Sequence, residues 1–270
     1  MAYNGFDISG KVCLITGGTS GLGKAISLGF AKAGAKVVAG STSAAKVDAM
    51  RKELGADNDA VQIDVADEKS VAAAVDHTVK RYGRLDAMVN AAGIIQRKPS
   101  LDVSVEEFEK IVRTNLTGSF IVARSAARVM KDQTPDARGH RGSIVFVASL
   151  NSYISLSEVL AYASSKSGVL GLIRGLANEW ARFGIRVNGI APGLFPTDLN
   201  RSLIENTPRG DFMKEHTPQG RFGDSEELVG AAIYLVSPAA SFTAGQTLII
   251  DGGFLSRGVG FPAPSPSVNK

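Results

Sequence analysis

Short apolar runs alternate with helical patterns along nearly the whole of this 270-residue chain, and few architectures accommodate such an alternation. Lys11 to Thr16 reads as a first strand, and Leu22 to Ala33 as an apolar-faced helix stopped by Gly34. Lys36 to Ala39 is a second strand, followed by a helix ending at Leu54 and Gly55. Ala60 to Ile63, Asp86 to Asn90, Gly142 to Ala148, Ile185 to Ile190 and Thr247 to Ile250 continue the strand series. Between them, Glu68 to Tyr82 is a helix closed by Gly83, Ser104 opens a long helix, and Ser157 to Arg182 forms another. A last helix ends near Ser237 and Pro238. Ser104 with Glu107, and Asp224 with Glu227, have the spacing of a capping box, in which each side chain satisfies a backbone amide of the other residue. Strands this apolar are buried on both faces. The pattern therefore predicts an α/β fold: a doubly wound, parallel, seven-stranded sheet with helices on both faces.

No linker or repeat divides the series, so residues 1–270 read as a single domain. Two segments break the rhythm. Lys131 to Arg141 is polar, carries Pro135 and Gly139, and precedes the fifth strand, so it belongs at the amino-end edge of the sheet. Residues 194–223 form a long stretch with Pro196, Pro208 and Pro218, leaving the carboxyl end of a strand where a lid would be. The tail 261–270 holds three prolines and reads as extended.

Composition removes several classes of function. No window approaches the roughly 18 consecutive apolar residues that a membrane span needs. The N-terminus, Met-Ala-Tyr-Asn-Gly-Phe-Asp, lacks the basic-then-apolar pattern of a signal peptide, so the expectation is a soluble, cytoplasmic protein without membrane partners. A net charge of +4 raises the question of nucleic acid, but the basic residues are scattered and no aromatic signature accompanies them. A mild excess suits an anionic small molecule better. His77, His140 and His216 stand apart without Cys or acidic partners at ligand spacing, so no metal is expected. Cys13 lies in an apolar strand and reads as a small core hydrophobe.

Three places carry chemistry. The first turn, Thr16-Gly17-Gly18-Thr19-Ser20-Gly21-Leu22-Gly23, falls between the first strand and its helix. Glycines there let backbone amides approach a pyrophosphate, and the helix N-terminus favours negative charge, as in Rossmann-type folds. Asp64, with Val65 after it, follows the third strand, where the carboxylate either accepts from an adenine amino group or is simply an exposed acid leading a helix. Asn90-Ala91-Ala92-Gly93 closes the fourth strand, and its small residues let the backbone run close to a ribose or merely pack tightly. The third place is Ser149 to Lys166. Tyr162 and Lys166 are four apart and share a helix face, and Ser149 ends an apolar strand opposite them.

Taken together, Thr16 to Gly23, Asn90 to Gly93, Asn115, Ser149, Tyr162, Lys166 and Pro192-Gly193 resemble the short-chain dehydrogenase/reductase family in order and separation, over roughly residues 8 to 256. Ala91 stands where that family usually has a second asparagine. The resemblance implies an NAD(P)-dependent oxidoreductase interconverting a secondary alcohol and a ketone. Tyr162 would be its general acid/base, Lys166 would hold the nicotinamide ribose and depress the tyrosine pKa, Ser149 would bond the substrate oxygen, and Asn115 would support a proton relay. Gly17, Thr19, Ser20, Gly21, Leu22, Gly23, Asp64, Val65, Asn90, Ala91 and Gly93 would line the cofactor, with Pro192, Gly193 and Thr197 at its nicotinamide end. The magnitudes are consistent. A free phenol titrates near 10, and service as a base near neutrality needs about 3–4 kcal/mol. One cation about 4 Å away supplies about 4 kcal/mol at an effective dielectric near 20.

The second strand ends in Gly40-Ser41-Thr42-Ser43, with Lys46 a turn later. No carboxylate there repels a 2′-phosphate, and Ser41, Thr42 and Lys46 could bind one, so NADP is favoured over NAD. Residues 93–99, 176–181 and 220–223 are similar to stretches of gluconate 5-dehydrogenase-like and 2-deoxygluconate 3-dehydrogenase-like members, which implies a sugar acid or polyol. The rivals are a 3-oxoacyl thioester or other ketone reductase, and a non-catalytic cofactor-binding regulator. Arg97 could bind a substrate carboxylate through a bidentate pair, with Arg201, Arg209 and Arg221 as further candidates. The resemblance also implies a homotetramer.

Overall fold

A computed structural model describes residues 3–198 and 200–258; the tail 261–270 lies outside the described residues. The described strands are β1 (Val12–Thr16), β2 (Lys36–Ser41), β3 (Asp59–Gln62), β4 (Ala87–Asn90), β5 (Gly142–Val147), β6 (Ile185–Pro192) and β7 (Thr247–Ile250). They form one parallel sheet in the order β3-β2-β1-β4-β5-β6-β7. The helices are α1 (Gly21–Lys32), α2 (Ala44–Leu54), α3 (Glu68–Tyr82), α4 (Val105–Val112), α5 (Gly118–Met130), α6 (Leu160–Trp180), α7 (Arg201–Ile204), α8 (Pro208–His216) and α9 (Val229–Val236).

Successive strand residues face opposite sides of a sheet, and the core divides accordingly. Leu14, Val38, Met88, Ile144 and Phe146 pack on one face with α3, α5 and α6. Cys13, Ile15, Val37, Ala39, Val145 and Val147 pack on the other with α1, α2 and α9. Cys13 is fully buried, and burial pushes its thiol up, out of the reactive range. Phe30 of α1 is wholly buried, a contribution of about 1.5–3 kcal/mol. No described helix is long and apolar enough to cross a membrane.

Four boundaries differ from the sequence expectation, each for a local reason. The helix opened by the Ser104–Glu107 capping box is interrupted by a π-helical turn, Arg113–Thr117, before continuing as α5. α6 begins at Leu160 rather than Ser157, because Glu158 has φ +68° and cannot belong to a right-handed helix. Asp224 and Glu227 cap a short 3₁₀ turn, Ser225–Leu228, which runs on into α9. The segment 194–223, expected as a loop, contains α7 and α8. Pro208 punctuates the sequence like a loop residue but sits at the first position of α8, where its missing N–H costs nothing, and the Thr207 hydroxyl caps the Gly210 amide at 3.0 Å.

The strand order reverses direction between β1 and β4, where Thr16 pairs with Asn90. Connections leave that point to opposite faces and open a crevice at the carboxyl ends of both strands.

Candidate active site

Four strand ends, of β1, β4, β5 and β6, meet at this crevice. After β1 the chain turns through Gly17, whose φ is +68°, and a Cβ there would lie 2.7 Å from the Ala92 amide nitrogen. One turn into α1, a Cβ on Gly23 would fall 2.2 Å from the Gly17 carbonyl oxygen. A side chain at Gly17 would push β1's turn away from β4's, and one at Gly23 would push α1 away from the turn, so the two glycines let three stretches of backbone pack closely. Gly193, after β6, is held by its amide on the Ile250 carbonyl at 2.8 Å. Thr197 then folds back against Gly21 and closes the ring.

The cleft so formed measures about 370 Å³. Gly17, Ser20, Gly21, Leu22 and Gly23 line it from the first turn, Ala91 and Gly93 from the β4 end, Ser149 from the β5 end, Tyr162 and Lys166 from α6, and Pro192, Gly193 and Thr197 from the β6 end. A recess of about 330 Å³ adjoins it past Ser20 and Gly21, lined also by Thr19, Lys24 and Lys46. A glycine cradle opening at a helix N-terminus, with lysines in the adjoining recess, fits a dinucleotide's phosphates.

Ser149, Tyr162 and Lys166 are built into one small framework. Ser149 ends the strand path of β5, and its hydroxyl accepts from the Asn151 amide at 3.1 Å. Its own amide donates to the Ser152 hydroxyl at 3.3 Å, which in turn donates to the Lys166 carbonyl at 2.8 Å. The β5 turn is thereby fastened to the helix that carries the tyrosine and lysine. Lys166 is buried, its ammonium donating to the Val147 carbonyl at 2.6 Å.

Burial pushes the Tyr162 phenol up, while the Ser149 hydroxyl, as its hydrogen-bond partner, draws it the other way. Burial also pushes the Lys166 ammonium down, to about 8. Its charge is directed at the Val147 carbonyl, and Nζ stands 5.7 Å from the centre of the phenol ring.

Asn115 occupies the middle of the π-helical turn and is fully buried. Its amide oxygen accepts from the Ile94 N–H, and its amide nitrogen donates to the Ile94 carbonyl, both at 2.9 Å. The same nitrogen donates to the Ser165 hydroxyl at 3.1 Å. The side chain therefore ties the stretch after β4 to α6. Asn90 does not line the cavity. It accepts from the Thr16 hydroxyl and donates to the Ser119 hydroxyl at 2.7 Å, so it braces the floor of the switch point.

Other expected residues fall elsewhere. The Ser41 hydroxyl accepts from the Ser43 amide at 3.3 Å, and the Thr42 carbonyl accepts from Gln62 at 2.9 Å, at the β2 end. Asp64 is exposed, with one carboxylate oxygen taking the Ala66 amide at 2.9 Å, and Val65 is buried in the core. Neither lines the cavity. Arg97 also lies off the cavity wall, where its Nε donates to the Glu158 carboxylate. Sequence reasoning missed Asp198 and Asn200, which line the cavity behind Thr197. The Asn200 amide oxygen takes the Thr197 N–H at 2.8 Å, but an asparagine in a proline-rich stretch signals only a turn.

Comparison with known proteins places this geometry among enzymes. A family model described as enoyl-(acyl carrier protein) reductase matches residues 17–255. A D-threitol dehydrogenase of Mycolicibacterium smegmatis is 37% identical over 252 residues, covering 92% of this chain and 94% of the relative. A 2-dehydro-3-deoxy-D-gluconate 5-dehydrogenase of Formosa agariphila is 35% identical, over 97% of this chain and 99% of the relative. The crystal structure of a gluconate 5-dehydrogenase from Burkholderia cenocepacia, in complex with NADP and tartrate, superposes with a TM-score of 0.87 at 38% identity. That match covers 94% of this chain and 98% of the other.

Proposed function

Because this chain belongs to the short-chain dehydrogenase/reductase family of NAD(P)-dependent oxidoreductases, we propose that it interconverts a secondary alcohol and a ketone on a sugar acid or polyol. The observation that carries this reading is that Ser149, Tyr162 and Lys166 open into the same cavity as the glycine turn. When bound, a nicotinamide cofactor would supply or take up the hydride at the carbinol carbon. Tyr162 gives its phenolic proton to the carbonyl oxygen in reduction and recovers one in oxidation. Ser149 holds that oxygen by a hydrogen bond, and Lys166 holds the nicotinamide ribose. Asn115 keeps the stretch after β4 and α6 in register, and through it the tyrosine.

Gly17, Thr19, Ser20, Gly21, Leu22 and Gly23 hold the pyrophosphate, with Ala91 and Gly93 along the ribose and Pro192, Gly193 and Thr197 at the nicotinamide end. NADP is the preferred carrier. No acid ends β2, Lys46 lines both the cavity and the recess beside the turn, and the gluconate 5-dehydrogenase relative was crystallised with NADP. Arg97 binds the carboxylate of an acidic substrate. The same reading makes the chain one domain, with residues 194–223 as a lid over the site. It also makes the protein a cytoplasmic homotetramer, which light scattering and cell fractionation test.

The deciding experiment measures initial rates with NADP and NAD on gluconate, threitol and a 3-oxoacyl thioester, for wild type and Tyr162→Phe. The expected result is turnover of gluconate or threitol, faster with NADP. Tyr162→Phe should lose about 100-fold or more of that rate while still showing a cofactor-induced rise in Tm. Turnover confined to the thioester defeats the sugar-acid reading, and an unaffected Tyr162→Phe variant defeats the assignment of the proton carrier.

A further inference from the structure

Arg201, Arg209 and Arg221, in the segment after β6, have very different surroundings. Arg201 is bound by Glu205 at 2.8 Å, one turn along the chain, and Arg221 by Glu227 at 2.7 Å; both are more than half exposed. Arg209 is only 24% exposed and reaches out of α8 to the turn preceding α6. There its Nη2 donates to the Ser157 carbonyl at 3.3 Å, and its Nη1 lies 3.7 Å from Oε2 of Glu158. That same oxygen also receives Nε of Arg97. The Glu158 carbonyl accepts the Lys98 amide at 2.8 Å, so three segments meet on one residue: the stretch after β4, the start of the Tyr162 helix, and α8.

Glu158 holds this position at a backbone φ of +68°, a conformation glycine takes freely and glutamate does not. The charge count is also unbalanced. Two guanidiniums share one carboxylate oxygen, while neighbouring Lys98 is already matched by Glu107 at 2.8 Å. Among the described residues, one positive charge is left without a counter-ion, in a cluster still about one-third exposed to water at Glu158. It stands four residues ahead of Tyr162 and four residues beyond Gly93, on the two segments that flank the proton-handling groups.

We propose that Arg209 is the second arm of a carboxylate-recognition pair with Arg97, and that Glu158 is an internal stand-in that occupies the two guanidiniums where a substrate carboxylate would bind. This rests on the reading of the substrate as a sugar acid or polyol, and sharpens it: the chain prefers a hydroxy acid to an uncharged polyol. Each guanidinium can present two parallel N–H groups, so an incoming carboxylate completes two ion pairs where Glu158 alone serves both. Closing them draws α8 toward the stretch after β4, and the neutral polyol gains nothing from it.

The test is the ratio of kcat/KM for gluconate to kcat/KM for threitol, with NADP, in wild type, Arg209→Gln, Glu158→Gly and Arg128→Gln. Arg209→Gln should lower the ratio at least tenfold, mainly through KM for gluconate. Arg128→Gln, which removes an equal charge from an exposed position of α5, should leave the ratio within twofold. Glu158→Gly removes the competing carboxylate at a position where glycine fits the backbone, and should raise the ratio severalfold. If Arg209→Gln does not fold, Arg209→Lys keeps the charge without the fork and should still lower the ratio. A ratio unmoved by substitution of Arg209, or lowered in Glu158→Gly, overturns the proposal, as does wild-type turnover of threitol without gluconate. Wild-type inactivity on both substrates overturns the sugar-acid reading itself, before any variant is compared.

Discussion

Burial acts on Tyr162 and Lys166 in opposite directions along the pH axis and toward the same uncharged state. A phenol pushed up keeps its proton through neutral pH, which suits it as the acid in ketone reduction. Dehydrogenation needs the phenolate, so its kcat/KM should climb with pH while that of reduction holds level and then falls. Rates in both directions between about pH 6 and 10 check this, and a dehydrogenation rate flat over that range sinks it. Lys166 makes the companion prediction. A lysine resonance titrating near 8 should appear in the isotope-labelled protein and vanish in Lys166→Met; titration at the usual 10.5 of a lysine would contradict the burial argument. The spacing of Tyr162 and Lys166 was readable in sequence because four residues is one helical turn. The direction of the Tyr162 shift was not, because it is set by burial of the phenol, which depends on segments far apart in the chain closing over the ring.

Within the elements, the most consequential departure from a regular helix is the π-helical turn between α4 and α5. It sets Asn115 where one amide satisfies both backbone groups of Ile94 and reaches Ser165. Asn115→Ala leaves both part-buried backbone groups of Ile94 without their side-chain partner and should destabilise the protein by about 3 kcal/mol, read by urea unfolding at neutral pH. A loss below about 0.5 kcal/mol would mean that water replaces the amide at no cost and that the π turn is not a brace. Local signals of the kind that capping boxes carry were legible here. Ser104 with Glu107 and Asp224 with Glu227 both form as their spacing predicts, because each needs only residues three apart. The π turn has no such signal, since one inserted residue leaves the apolar period of α4 and α5 nearly intact. Asn90 shows the same limit from the other side. Its small-residue context places it at the crevice, but its partners, Thr16 and Ser119, come from other elements.

Across the whole molecule, the alternation of strand and helix implied a parallel sheet, while its lateral order follows from which strands pair, and that lies between segments. The edge of the sheet farthest from β7 shows what such pairing demands. Asp59 opens β3 almost fully buried and is met by side chains of two helices: Arg51 of α2 at 2.9 Å, and His77 and Arg81 of α3 at 2.9 and 3.6 Å. Burial alone would raise its pKa, but the hydrogen bonds from His77, Arg51 and the Ala60 amide outweigh it and hold the carboxyl below its ordinary 3.8. Glu107 and Glu227 are held lower still, at about 2, chiefly by Lys98 and by Arg221, yet both pairs face solvent and contribute little to stability. Asp59, unlike those two, is depressed while almost fully buried, so its protonation bears on stability at acid pH. A carboxyl whose folded pKa is depressed contributes stability that is complete above its unfolded value and is lost as pH falls through the folded one. Asp59→Asn should cost about 1–3 kcal/mol at pH 7, through lost charge-assisted hydrogen bonds. The gap between wild type and variant should then shrink as pH is lowered from about 5 to below 3. Urea unfolding of both proteins across that range decides the matter: a gap that stays constant with pH would show that Asp59 acts by shape alone, and that the β3 edge is not held by its charge.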